Sequence, residues 1–394
     1  MAQQEKLINK RYISLFLINL IVSISFSMIS TSVSLYVKGI GVTASMVGTV
    51  VGALSMASLC MRPFTGIISD RIENRKLLMC ALGLIAFSLI GCSFTSSVPL
   101  LIALRVVHGI GFSIATTVTL VLAANTIPER YMTQGMGYFA LGQTIATASA
   151  PSIGLWLGAE YGFAITFRFA AVTLGIAIGL AFIFVEVRQP KKKSVGKGAL
   201  IRLSDMFAVS ALPFCVLSAI TAGATGLENG YVSLFGNEIG LSNVGWWFTI
   251  AAVALLISRL FGGKLTDRYE RIMIPSGFLL MAAAFFALGT FTHTSSITVL
   301  TIVFALSATF KSLGLGIVQP ALQASCMRCV DQERRGAASG TYYLGTDIGQ
   351  AFAPILGGIV IERTNTHTMF GVYTIPLILA IGIYLATAKK AQKQ

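Results

Sequence analysis

Four ionisable residues stand inside otherwise apolar stretches of this chain: Arg105, Glu228, Lys311 and Asp347. A charged side chain in hydrocarbon is costly and turns toward a partner or a wet cavity, so such residues mark functional positions. An acid walled by apolar groups has its ionised form disfavoured, and a neighbouring base restores it. If its surroundings alternate between those settings, its proton affinity follows the conformation of the protein. Asp347 and Glu228 are therefore the expected proton-coupling residues, with Arg105 beside them. A fixed ion pair between Lys311 and Asp347, and a wet outer vestibule around Glu228, are the plainer readings. His108, one helical turn from Arg105, reads as a bystander. Asn19, Gln143, Lys311 and Tyr342 are the candidates for a substrate cavity, being polar or amphipathic groups within apolar runs. Phe26, Met28, Trp246 and Trp247 suit an adaptable apolar wall, although lipid-facing positions use the same residue types.

The elements that must position these residues are membrane helices. Of 394 residues, 55% are hydrophobic and 11% charged, and the mean hydropathy is +0.79, which excludes an ordinary soluble domain. Runs of about 20 apolar residues, at ~1.5 Å per residue, cross a ~30 Å hydrocarbon layer. Twelve such runs are expected, six between residues 12 and 186 and six between 207 and 388. Their continuous hydrophobicity selects an all-α membrane protein over a barrel of short alternating strands. The first run is too long for a signal-peptide core and is expected to be a retained helix.

Charge placement sets the topology. The formal net charge is +14, but with the N-terminus inside, most Lys and Arg fall in tails, inward loops and inner helix ends. That is the positive-inside pattern, so a nucleic-acid partner is not implied and both termini are expected to be cytoplasmic. The basic cluster Arg188 to Lys197 reads as part of a cytoplasmic linker. Most of the six cysteines lie within spans, against a disulfide framework. The Cys326-Met-Arg-Cys329 spacing has no second pair or His cluster beside it and reads as coincidence. His108, His293 and His367 share no metal spacing, and no Gly-x4-Gly-Lys-Ser/Thr phosphate loop occurs. No metal, no cofactor and no enzymatic activity are expected.

The chain is written twice. Arg62 to Lys76 reads RPFTGIISDRIENRK, and Arg259 to Arg271 reads RLFGGKLTDRYER; each places Gly four residues after Arg and Asp-Arg four after that. Ser32 to Gly41 (SVSLYVKGIG) is likewise echoed by Tyr231 to Gly240 (YVSLFGNEIG). A third echo runs through small residues. Gly142, Ala146, Ala150 and Gly154, with Pro151, correspond to Gly345, Gly349, Ala353 and Gly357, with Pro354. A spacing of four lines them along one helix face, where another backbone can approach. Both copies therefore predict helix-packing seams. Because each half holds six spans, the repeats are parallel, which suits two bundles related by an axis along the membrane normal with a cavity at their interface.

These features resemble the major facilitator superfamily from end to end. Gly66-Ile-Ile-Ser-Asp70-Arg71-Ile-Glu-Asn-Arg75-Lys76 is similar to the family's loop Gly-x-x-x-Asp-Arg-x-Gly-Arg-Arg/Lys, with Glu73-Asn74 in place of one Gly. Gly263 to Arg271 matches it through Asp267-Arg268 and carries Glu270 where Gly is expected. Arg105, followed by Gly109-Ile-Gly111, resembles the family's fourth-helix element. Gly340, Gly349, Ala353, Pro354, Gly357 and Gly358 resemble the antiporter pattern, which Gly137, Ala146, Ala150, Pro151 and Gly154 match in part. The resemblance implies bundles at 1–186 and 207–394 joined by a cytoplasmic linker at 187–206, working by alternating access. It implies the drug/proton antiporter group: a monomer in an inner or plasma membrane that exports amphipathic small molecules or metabolites, with protons, a small-molecule substrate and the lipid bilayer as its partners. An importer or exchanger of an organic anion held by Arg105 and Lys311 is the alternative; a transport-dead sensor is a further one. Gly66, Asp70 and Arg71 are then a conformational latch, with Gly263, Asp267 and Arg268 its second copy.

Overall fold

A computed structural model describes residues 9–41, 44–185, 207–241, 245–290 and 296–391. The expected linker at 187–206 and His293 lie outside the described residues. Everything long is helical: α1 (Lys10–Gly39), α2 (Ala44–Arg71), α3 (Asn74–Ser93), α4 (Val98–Thr126), α5 (Met132–Tyr161), α6 (Phe163–Phe184) and α7 (Leu212–Glu238). The next run, Gly245–Thr290, loses helical geometry at Tyr269 (φ −130°, ψ 41°), so α8 is 245–268 and α9 is 270–290. Then follow α10 (Ile297–Arg328), α11 (Arg335–Arg363) and α12 (Thr366–Ala391). With the break at Tyr269 counted, the described residues hold the twelve helices expected, and no strand occurs among them. Ten runs are long and apolar enough to cross a membrane, one of them α8 and α9 taken together. Only α5 falls outside them, its sequence being given over to Gly, Ala, Ser and Thr.

The repeated segments take the same backbone shape. Gly41 and Gly240, which end the echoed decapeptides, both have φ of +85°, a left-handed turn that a residue with a Cβ adopts only at a cost. In space the chain divides into two compact units, one of residues 1–128, 141–209 and 330–341, the other of 129–140, 210–329 and 342–394. The first turns of α5 and α11 are thus each grouped with helices from the other half of the sequence.

Small residues set the closest helix approaches inside each unit. In the first, Gly142 of α5 faces the backbone of Leu20 on α1, and Gly154 faces the carbonyl of Met28, while Ala146 and Ala150 are fully buried. In the second, Gly345 and Gly349 of α11 lie on the backbone of Cys215 and Ala219 of α7. Ala353 meets Gly223, Pro354 meets Gly226, and Gly357 meets the Leu227 side chain. The Tyr231 hydroxyl donates to the Pro354 carbonyl at 2.8 Å, satisfying the oxygen beside the proline turn. Gly349→Val would drive a side chain into the Ala219 backbone, where the added Cβ alone meets the carbonyl carbon at 2.8 Å. It is expected to destabilise the protein by about 1–3 kcal/mol, read as a lower unfolding temperature in detergent. Gly179→Ala, whose Cβ meets nothing within 4 Å, is expected to leave that temperature unchanged or higher.

Candidate functional site: a buried ion pair and two capping carboxylates

Glu228 on α7 and Lys311 on α10 form an ion pair inside the second unit, with 2% and 6% of their surfaces exposed. Among the described residues each is the other's sole charged partner. The expected alternative, Lys311 with Asp347, is not the arrangement found: Asp347 is half-buried on α11 and does not pair with Lys311. All three residues lie deep within their helices, so the rotation of α7, α10 and α11 about their own axes decides which acid faces the lysine. A buried pair of this kind repays its desolvation poorly, and it is weak evidence for stability as such. An aromatic cluster lies farther along the same helices. Seven residues from each partner, about 10 Å along the helix, Phe235 and Phe304 face each other at 6.4 Å, and Trp246 and Trp247 meet Phe304 at 5.7 and 6.1 Å. Trp247 donates its indole N–H to Ser307 Oγ at 3.2 Å, one turn from Lys311.

Arg105 on α4 is 3% exposed in the first unit. Its guanidinium reaches the Val50 carbonyl at 3.4 Å and His108 Nδ1 at 3.5 Å, both long contacts, and it has no carboxylate partner among the described residues. Asn19 is half-buried on α1 beside Gly142, and Gln143 is exposed. Tyr342 is fully buried, with its ring edge-on to Tyr343 and its carbonyl accepting from Ser218 Oγ at 2.8 Å. Among the described residues no group of three or more His, Cys, Asp and Glu is placed to hold a metal.

The repeated charged segments end in matched geometry. The first four N–H groups of any helix lack internal partners and carry partial positive charge. Asp70, near the end of α2, accepts the N–H of Gly336 at 2.7 Å and of Ala337 at 3.0 Å, the second and third residues of α11. Asp267, near the end of α8, accepts the N–H of Thr133 at 2.9 Å and of Gln134 at 2.8 Å, the second and third residues of α5. Each carboxylate thus spends both oxygens on another helix's free amides. The glycine one turn earlier permits the approach. A Cβ on Gly66 would stand 2.8 Å from the Ala337 Cα, and one on Gly263 would stand 2.6 Å from the Gln134 Cα. Arg71 and Arg268 are exposed, Arg268 lying over the Tyr269 ring at 5.2 Å.

Several arginines that sequence reading left aside complete these joints. Arg62 and Arg259, which open the two segments, are both buried. Arg62 donates to Ser113 O at 3.1 Å and Thr116 Oγ1 at 2.8 Å. Arg259 donates to the Ala140 carbonyl and to Gln319 Oε1, the latter at 2.8 Å. Arg335 tops α11 and donates to Ala124 O and Asn125 Oδ1 at 3.1 and 2.7 Å, covering the carbonyl end of α4. Arg328, in the last turn of α10, bridges Asp267 at 3.1 Å and Glu270 at 2.9 Å, and Ser325 Oγ holds the other Glu270 oxygen at 2.6 Å. The shared Arg in both copies of the segment was the available signal for Arg62 and Arg259; Arg328 and Arg335 have no echo, because Asn125 and Met132 occupy their places in the first half.

A family model of the Major Facilitator Superfamily matches residues 15–244 and again 214–394. The chain belongs to that superfamily. It is a multi-pass membrane transporter, not an enzyme. It is 24% identical over 371 residues to Multidrug resistance protein 2 of Bacillus subtilis, covering 90% of this chain and 89% of that protein. It is 22% identical to the staphylopine export protein of Staphylococcus aureus, covering 91% of each. The crystal structure of the human organic anion transporter MFSD10 has a TM-score of 0.81 to this fold at 15% identity, with 95% of this chain and 98% of that one covered. Within the superfamily frame, Glu228 is set apart from Asp347 by its pairing with Lys311.

Removing one member of a buried pair strands the other's charge, at a cost of about 3–5 kcal/mol, whereas removing both is close to neutral. Glu228→Gln and Lys311→Met are each expected to lower the unfolding temperature in detergent clearly, and the double variant to recover most of the loss. Additive losses would mean that the two side chains do not depend on each other.

Proposed function

We propose that this protein is a secondary active transporter that exports amphipathic small molecules or metabolites in exchange for protons by alternating access. The Glu228–Lys311 pair carries the reading. A matched charge pair buried within membrane-spanning helices contributes little as a staple, yet its electrostatic balance changes whenever a proton or a charged solute arrives. Asp347, an acid deep within α11, is a further coupling candidate. Export is favoured by the relatives, two of which are named for resistance or for export. The basic bias of the loops supports an orientation with both termini in the cytoplasm, and a cell inner or plasma membrane as the location.

Asp70 and Asp267 fit the role of latches in such a cycle. Two amides given up by a carboxylate must find water, so the joints are stable where dry and separable where solvent can enter. The state described here has both formed. A second reading, exchange or import of an organic anion, draws on Arg105, a buried cation with no acidic partner among the described residues.

Purified protein in liposomes carrying an internal pH dye and an outward proton gradient provides the test. Addition of a transported solute is expected to discharge the gradient, and Glu228→Gln is expected to abolish this at least tenfold. Undiminished exchange by Glu228→Gln removes the pair from the mechanism.

A further inference from the structure

The thiols at the C-terminal end of α10 belong neither to the ion pair nor to the capped joints. Their spacing, Cys326-Met-Arg-Cys329, reads as coincidence in the sequence, but the fold builds a site from it. Cys326 lies in the last turn of α10 and is fully buried, while Cys329 follows the last residue of the helix and is partly exposed. The Cys329 thiol donates to the Cys326 carbonyl at 3.1 Å, which folds its sulfur back over the turn that carries Cys326. The two thiols are also within hydrogen-bond reach of each other. Once deprotonated, the Cys329 sulfur accepts from the Cys326 thiol, and this bond holds it below the ordinary thiol range, against its partial burial and with help from the Ser210 hydroxyl. A third thiol, Cys215 in the first turn of α7, stands near Cys326. Cys60, Cys80 and Cys92 lie apart on α2 and α3.

The dithiol is asymmetric. Oxidation begins at a sulfur that is accessible and readily deprotonated, and it passes to a disulfide where a second thiol is in reach. Cys329 meets the first condition and Cys326 the second. We propose that Cys326 and Cys329 form an oxidisable dithiol that reacts with a small hydroperoxide, Cys329 taking the oxygen and Cys326 closing the disulfide. In the first step the Cys329 sulfur attacks a peroxide oxygen: an S–O bond forms, the O–O bond breaks, and the other oxygen leaves as water or an alcohol with the Cys329 proton. In the second, the Cys326 sulfur attacks the Cys329 sulfur: the S–S bond forms, the S–O bond breaks, and water leaves with the Cys326 proton. The thiols lose two electrons and the peroxide gains them.

The helix end gives that bond its character. Residues three apart on a regular helix hold their Cβ atoms about 5–6 Å apart, wider than the about 3.5–4.5 Å of an unstrained disulfide. Cys329 stands beyond the helix at φ −76° and ψ 0°, so only the final turn has to tighten. A bridge closed under such strain is readily reduced again. It encloses Met327 and Arg328, and Arg328 is the base that holds Asp267 and Glu270.

Full-length reduced protein in detergent, treated with hydrogen peroxide in the presence of dimedone, alkylated and cut with trypsin, provides the test. Arg328 lies between the thiols, so cleavage separates residues 312–328 from 329–334 unless a disulfide joins them. Peroxide is expected to join that pair of peptides in the wild type and in Cys215→Ser, and reduced glutathione to part them. Cys326→Ser is expected to raise dimedone labelling of Cys329 by about tenfold or more, because nothing then resolves the oxidised sulfur. In Cys329→Ser, Cys326 is expected to stay unlabelled. Linkage of Cys326 to Cys215, labelling of Cys326 in Cys329→Ser, or free thiols at both positions in the treated wild type would overturn the inference. The wild-type peptide map decides the matter should a serine variant fail to fold.

Discussion

Two carboxylates do for α5 and α11 what those helices cannot do for themselves. The first four N–H groups of any helix have no partner within it, and in α5 and α11 two of them are taken by a carboxylate from another helix. Asp267 and Asp70 each supply two of those four missing acceptors, at 2.7–3.0 Å. From this constraint the rest of each joint follows. The aspartate needs a glycine one turn earlier so that the backbones can meet, an arginine at the head of the segment anchored in the neighbouring helix, and a short exit from its own helix. Those are the features that the two charged segments repeat.

The joints are nonetheless unequal. Asp267 shares its charge with Arg328, which also grips Glu270, so this carboxylate keeps a cationic partner whether or not the amides of α5 are present. Asp70 has the α11 terminus itself, in the field of Arg334 and of Arg71 on its own helix, with Arg335 of α11 reaching across to the carbonyl end of α4. Loss of the α11 turn would remove both attachments together. The difference rests on Arg328 and Arg335, which fall outside the repeated segments.

Much of the architecture is legible in the residues. Hydrophobic run length gives the helices, and the echoed decapeptides end at Gly41 and Gly240 in a shared left-handed turn that only a glycine takes cheaply. The small-residue rows could be placed on one face of α5 and α11 by period alone, but the helices that fill them, α1 and α7, are read only from coordinates. Pairing of the buried charges was illegible for a sharper reason. Glu228 and Asp347 are both acids at membrane depth, and Lys311 is separated from them by 83 and 36 positions; helix rotation, which hydropathy hardly constrains in a span that is apolar nearly all round, decides between them. The break at Tyr269 was legible, since it falls within the charged segment Arg259 to Arg271, where the sequence already places a loop between two spans.

At the centre of this account is one exchange: a solute enters the Glu228–Lys311 site only as a proton leaves it. Calorimetric titration of purified protein with ethidium, repeated in buffers of different ionisation enthalpy at one pH, counts the protons released per molecule bound. The account expects close to one proton released with wild-type protein and none with Glu228→Gln. Binding that releases no proton from the wild type, or that takes one up, would contradict it.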